Sequence, residues 1–203
     1  MNRTLLLLIP VLATAGIPTA GAQQSDPATV ARQVCASCHG PAGQSISSAF
    51  PRLAGQQPDY INAQLKAFRD RKRGDPMAQA YMWGMASQLD DATIKGLAAY
   101  YARQKPVHGH AADPKLAQQG QAIFENGLPA AGVPACASCH GQDAAGKDGY
   151  PRLAGQHAEY LVKQLSLFKN ELRAGAQAPL MHEVTAGLSF DQMTAVSAYL
   201  ASK

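Results

Sequence analysis

Apolar residues along this chain recur with the period of a helix, and they do so twice. Ile61, Leu65 and Phe68 fall at i, i+4 and i+7, one stripe of an amphipathic helix, and Leu161, Leu165 and Phe168 repeat that stripe further on. Ile94, Leu97 and Tyr101, and later Met193, Val196 and Leu200, predict another inward-facing helix near the end of each half. The polar punctuation agrees. Asp26-Pro27 and Asp113-Pro114 each offer an N-cap followed by proline at the first helical position. The last helices start near Asp90 and Ser189, and Ser189 with Gln192 fits a capping box. Alternating strand patterns are absent, so each half is expected to be all-α.

The repetition extends to whole words of sequence. Cys-Ala-Ser-Cys-His-Gly stands at 35–40 and 136–141, and Pro-Arg-Leu-Ala-Gly-Gln at 51–56 and 151–156. Tyr60 and Gln64 recur as Tyr160 and Gln164, and Leu89 as Leu188. The offset between copies drifts only from 101 to 99. Two copies at this spacing are a duplicated domain and not a solenoid. A breaker-rich stretch around Pro106 and Pro114 separates them. The chain therefore divides into a leader at 1–22, an N-terminal domain at 23–105, a linker at 106–113 and a C-terminal domain at 114–203. His108 and His110 read as solvated linker residues.

The leader is a secretory signal by its anatomy. Arg3 is followed by an apolar run from Leu5 to Leu8 and by the small-residue site Ala20-Gly21-Ala22. Pro10 and Pro18 break the run short of the roughly 20 residues a membrane span needs. The mature protein is expected to be exported, soluble or peripherally attached to a membrane. Its formal charge of +4 is unevenly spread. From 23 to 105 ten Lys/Arg face six Asp/Glu; from 106 to 203 seven face eight. Lys66, Arg69, Arg71, Lys72 and Arg73 form the main cluster, readable as a solvated helix end or as a dock for an acidic partner. Scarce aromatic interleaving argues against nucleic acid.

Four cysteines in an exported chain ordinarily mean two disulfides, but these form two tight pairs, Cys35/Cys38 and Cys136/Cys139, each followed by histidine. Cys-x-x-Cys-His is the signature of c-type haem attachment: two thiols on one turn add to one haem, and His39 or His140 meets the iron. A redox dithiol needs a βαβ context, and one zinc held by four thiolates leaves both histidines idle. Two covalent haem c groups are expected. A sixth ligand is usually Met or His. The first half offers Met77, Met82 and Met85, the second Met181 and Met193, with His182 as competitor. Met82 and Met181 each lie seven residues before the matched leucines, which favours that pair. The backbone carbonyls of Pro51 and Pro151 are placed to receive the second imidazole nitrogen, and Arg52 and Arg152 to pair with haem propionates.

With these motifs the sequence resembles the cytochrome c4 family of di-haem periplasmic cytochromes, over essentially the whole mature chain. The resemblance implies two tandem class I cytochrome c domains related by a pseudo-two-fold axis, each haem with His/Met ligation. It implies electron carriage from a quinol-oxidising cytochrome complex towards terminal oxidases, with no substrate transformed. The alternatives are the di-haem subunit of a dehydrogenase, such as a sulfide-oxidising flavocytochrome, and a di-haem enzyme with an open iron position.

Overall fold

In the computed structural model, which describes residues 26–203, Asp26 caps α1 (Pro27–Val30) by accepting the Thr29 N–H, with Pro27 in the first turn. The leader at 1–22 lies outside the described residues. α1 continues through a π-type turn, Ala31–Cys35, into α2 (Ala36–His39), so the first cysteine motif is delivered by the helix itself. α3 (Pro58–Arg69) follows, then a π-type turn, Ala78–Met82, leading into α4 (Trp83–Ala86), and α5 (Asp91–Ala102). The second half repeats the order with α6 (Pro114–Asn126), α7 (Ala137–His140), α8 (Ala158–Lys169), α9 (Ala178–Ala186) and α10 (Phe190–Ala201). Asp90 and Asp113 cap α5 and α6, and Ser189 and Gln192 form the capping box of α10. Among the described residues there is no strand, only two isolated bridges, and no helix long and apolar enough to cross a membrane.

The helical stripes face inward as their spacing requires. Ile61, Phe68, Ile94, Leu97 and Tyr101 are buried in the first domain, and Leu161, Phe168, Met193, Val196 and Leu200 in the second. The near-constant motif offset concealed one asymmetry, because it begins only at the cysteines. Nine positions separate Asp26 from Cys35, whereas twenty-three separate Asp113 from Cys136. The additional residues set α6 apart from α7 by a loop closed by the Leu128↔Val133 bridge, whereas the helical run from Pro27 to His39 is unbroken. α6 packs along α10, and the two come close enough at Gly120 that a Cβ there would collide with the Ala195 carbonyl. In the first domain the small residue sits on the other partner: Gly96 of α5 lies against Pro27.

The linker between Ala102 and Pro114 is non-helical and seated across both domains. Pro106 covers Gly55 and the Val107 carbonyl covers Gly155. Both glycines have φ near +70°, at +68° and +72°, a conformation that, together with the covering linker, excludes a side chain.

The two cores are also filled differently. Thirteen buried residues form one continuous cluster in the C-terminal domain, while the N-terminal domain has separate clusters of five and three. Less contiguous burial means lower local stability. Amide hydrogen exchange in the haem-loaded protein should therefore show α5 exchanging faster than α10; equal protection would contradict this difference between the cores.

Candidate functional site

Each Cys-x-x-Cys-His turn ends on a buried histidine, His39 and His140, both 7% exposed. No disulfide joins the four cysteines; Cys38 is exposed and the others half-buried. Nδ1 of His39 lies 2.9 Å from the Pro51 carbonyl oxygen, and Nδ1 of His140 lies 3.1 Å from that of Pro151. A carbonyl only accepts, so Nδ1 carries the proton and Nε2 keeps its lone pair for a metal. Burial lowers the pKa of both imidazoles, opposed in part by the carbonyl, which keeps the rings neutral at pH 7. Phe50 and Tyr150, just before the two prolines, meet the rings edge-on at 6.1 and 6.0 Å. Both are aromatic at matching places in the repeat, a signal that sequence reasoning passed over.

Trp83 and His182 occupy the same place in the two domains. The indole N–H of Trp83 donates to the Arg73 carbonyl at 2.8 Å, and Nε2 of His182 donates to the Arg173 carbonyl at 3.0 Å. The residues before them, Met82 and Met181, are thereby in structural register. The same bond commits the His182 Nε2 proton to a backbone carbonyl and removes that nitrogen as a ligand. Met193 is 3% exposed within the C-terminal core, and Met85 is half exposed at the surface.

These residues fit a covalently bound haem. Each domain offers two cysteines outside any disulfide, a neutral imidazole with an available nitrogen, and a thioether on a separate helical segment. In the C-terminal domain an open cleft of about 490 Å³ lies between Val133-Pro134 and the Leu180, Glu183 and Val184 side of α9. Arg152 Nε is buried with no acceptor, a position that a carboxylate would satisfy.

Pro-Arg-Leu-Ala-Gly-Gln also does something the sequence reading did not anticipate: it joins the domains. Gln156 accepts the Arg52 N–H at 2.9 Å and donates to the Arg52 carbonyl at 3.0 Å. Gln56 does the same to Arg152, at 2.6 and 3.0 Å. This exchange is the pseudo-two-fold axis in atomic form. The Arg52 guanidinium donates to the carbonyls of Ser45 and Gly155, and burial lowers its pKa as it does that of Arg152.

A second reciprocal cluster takes Arg73 out of the basic patch to which its sequence position assigned it. Arg73 is 6% exposed and lies inside the interface. It donates to Gln64 at 2.7 Å and to Gln164 at 3.1 Å; Arg173 donates to Gln164 at 2.6 Å and to Gln64 at 3.2 Å. Each guanidinium stacks on a phenylalanine of its own domain, Phe68 or Phe168. Lys66 and Arg69 are held by Asp91, and Arg69 also by Asp70. Of the five cations, Arg73 is thus internal and Lys66 and Arg69 are paired, while Arg71 and Lys72 remain exposed. Arg173, matching Arg73 at an offset of 100, was the available signal.

Two all-α domains, each built around a Cys-x-x-Cys-His turn and a methionine in register, define a di-haem c-type cytochrome. The sequence profile of the family Cytochrome c matches residues 25–103 and again 117–203. The chain is 42% identical to cytochrome c4 of Thiocapsa roseopersicina, over 92% of this chain and 95% of that protein, and 38% identical to cytochrome c-552 of Acidithiobacillus ferridurans, over 99% and 88%. It is 36% identical to the thiosulfate dehydrogenase electron acceptor of Thiomonas intermedia, over 83% and 78%. The cytochrome c4 structure from Acidithiobacillus ferrooxidans superposes with a TM-score of 0.77 at 40% identity, covering 83% of this chain and 98% of that one. A thiosulfate dehydrogenase from Marichromatium purpuratum gives 0.76 at 32% identity, covering 87% of this chain and 39% of its own. The chain belongs to the cytochrome c4 family, and each domain carries one covalently attached haem c.

The interface contains one acid without a counterpart. Asp75 bonds Arg73 Nε at 2.9 Å and is 1% exposed, whereas Gly175 stands at the matching place. Burial alone raises its pKa, but Arg73 and the Ala78 N–H outweigh that and hold it below the ordinary carboxylate value. A depressed carboxylate contributes stability above its unfolded pKa of about 3.9 and loses it as pH falls through the folded value. Asp75→Asn should therefore cost about 3 kcal/mol at pH 7, and denaturant titrations below about pH 4 should show a flatter acid limb than wild type.

Proposed function

We propose that this di-haem electron-transfer protein is a periplasmic carrier. It takes single electrons from a quinol-oxidising cytochrome complex and delivers them to a terminal oxidase or another reductase, transforming no substrate itself. The observation that carries this reading is the equivalence of the two donor sets. Cys35 and Cys38, and Cys136 and Cys139, would hold the haems, and His39 with Met82, and His140 with Met181, would ligate the irons. When bound, haem iron supplies a one-electron couple. The protein's part is to keep the imidazole tautomer fixed and to offer a thioether as the second ligand, which would raise the potential. Pro51 and Pro151 fix the tautomers; Arg152, whose buried Nε lacks an acceptor, would pair with a propionate, and Arg52 would do so alongside its bonds to the Ser45 and Gly155 carbonyls. Optical titration with haem quantitation tests the assignment. Two haems per chain are expected, Met181→Ala should abolish half of the methionine–iron band of the oxidised protein, and Met77→Ala should leave it intact.

A second reading is favoured by the similarity to thiosulfate dehydrogenase electron acceptors and by the superposition on part of a dehydrogenase. On this reading the chain accepts electrons directly from a dehydrogenase partner. Stopped-flow reduction by thiosulfate dehydrogenase and by the quinol-oxidising complex separates the two: the carrier reading requires fast reduction by the complex, and reduction by the dehydrogenase alone would overturn it.

A further inference from the structure

The peptide group joining Pro51 to Arg52 is engaged at both ends, by different domains. Its oxygen accepts the Nδ1–H of His39 at 2.9 Å, within the N-terminal domain. Its N–H donates to Oε1 of Gln156, in the C-terminal domain, also at 2.9 Å. The second copy reverses the direction: the Pro151–Arg152 peptide accepts from His140 at 3.1 Å and donates to Gln56 at 2.6 Å. Both glutamines are 7% exposed and anchored by their own Nε2 bonds to the same arginine's carbonyl. An amide is conjugated, so drawing on its N–H increases the electron density on its oxygen. Hydrogen bonds arranged in series through such a group strengthen one another, more so away from water.

We propose that each glutamine is a positioning residue for the haem of the opposite domain: Gln156 sets the donor strength of His39, and Gln56 that of His140. This rests on His39 and His140 being the axial ligands. A stronger acceptor at the Pro51 oxygen draws on the Nδ1–H, and the imidazole becomes a better electron donor at Nε2. A better donor favours ferric iron and lowers the potential. The two relays cross, so the potential of each haem depends on an interface contact made by the other domain.

The crossing makes the test specific. Gln156→Leu and Gln56→Leu are made in the full haem-loaded chain, and redox titrations are followed by the hyperfine-shifted methyl resonances of the two haems, assigned through the β-protons of Cys35 and Cys136. Gln156→Leu should raise the midpoint of the N-terminal haem and leave the C-terminal one in place; Gln56→Leu should do the reverse. The expected size is about a threefold change in the equilibrium constant for electron exchange between the haems, about 28 mV at 59 mV per tenfold for one electron. In the reduced protein the Nδ1–H resonance of the histidine across the interface should move upfield. Equal shifts at both haems, a shift confined to the glutamine's own domain, or no shift at all would each overturn the relay. Gln156→Glu keeps an acceptor for the Arg52 N–H and should leave the N-terminal midpoint at or below the wild-type value; a rise matching the leucine variant would assign the effect to packing and sink the idea. His39→Ala is read separately by the low-spin spectrum: an intact spectrum would remove the ligand assignment itself, whatever the glutamine variants do.

Discussion

A peptide group is flat and stiff, and here two such groups carry the weight of the molecule. The Pro51–Arg52 and Pro151–Arg152 amides each hold a buried imidazole on one side and the neighbouring domain on the other. Rotation of either plane would release both contacts at once. The orientation of the histidine rings and the mutual placement of the domains are therefore not separate properties. This also explains why one six-residue word serves both purposes: its proline holds the ring, its arginine backbone receives the partner, and its glutamine reaches across.

Around this centre the interface is polar and buried, which is costly unless every group finds a partner. Duplication supplies the partners. Gln64 and Gln164 each accept from both Arg73 and Arg173, so the two cations share two acceptors around the pseudo-axis. Asp75 breaks the symmetry by pairing with only one of them. The domains differ further within the interface, where Gln57 bonds the Ala145 and Gly146 carbonyls while its counterpart His157 bonds that of Ser45, and away from it, where α6 stands apart from its cysteine motif beside a continuous core while the first half's helix runs directly into its own.

Much of this was legible in the residues alone. Caps at Asp26, Asp90, Asp113 and Ser189, the stripes of α3, α5, α8 and α10, and the duplicated cysteine motifs all depend on short-range spacing, which a single sequence displays directly. The interface was not legible for a physical reason. Gln56, Gln64 and Arg73 are recognisable as repeats, but repetition does not say whether a polar side chain faces water or its own copy. Charge clustering pointed outward for Arg73, while its burial follows only from the meeting of Gln64 and Gln164 around the two guanidinium groups, a two-fold relation that no local pattern encodes. The unequal approach to the two cysteine motifs was hidden for a simpler reason: the repeat offset is constant only after the cysteines begin.

The reciprocal contacts have a consequence for how such a molecule can arise. A surface on which Gln56 of one copy grips Arg152 of the next, and Gln156 grips Arg52, is self-complementary, the geometry of a symmetric pair of identical subunits. Tethering the copies through the segment lodged on Gly55 and Gly155 turns an encounter that depends on dilution into an internal one, with an effective concentration on the order of millimolar. Once joined, the halves no longer need to be alike to remain together. Drift such as Trp83 against His182, or Asp75 against Gly175, becomes possible in one half without dissolving the assembly.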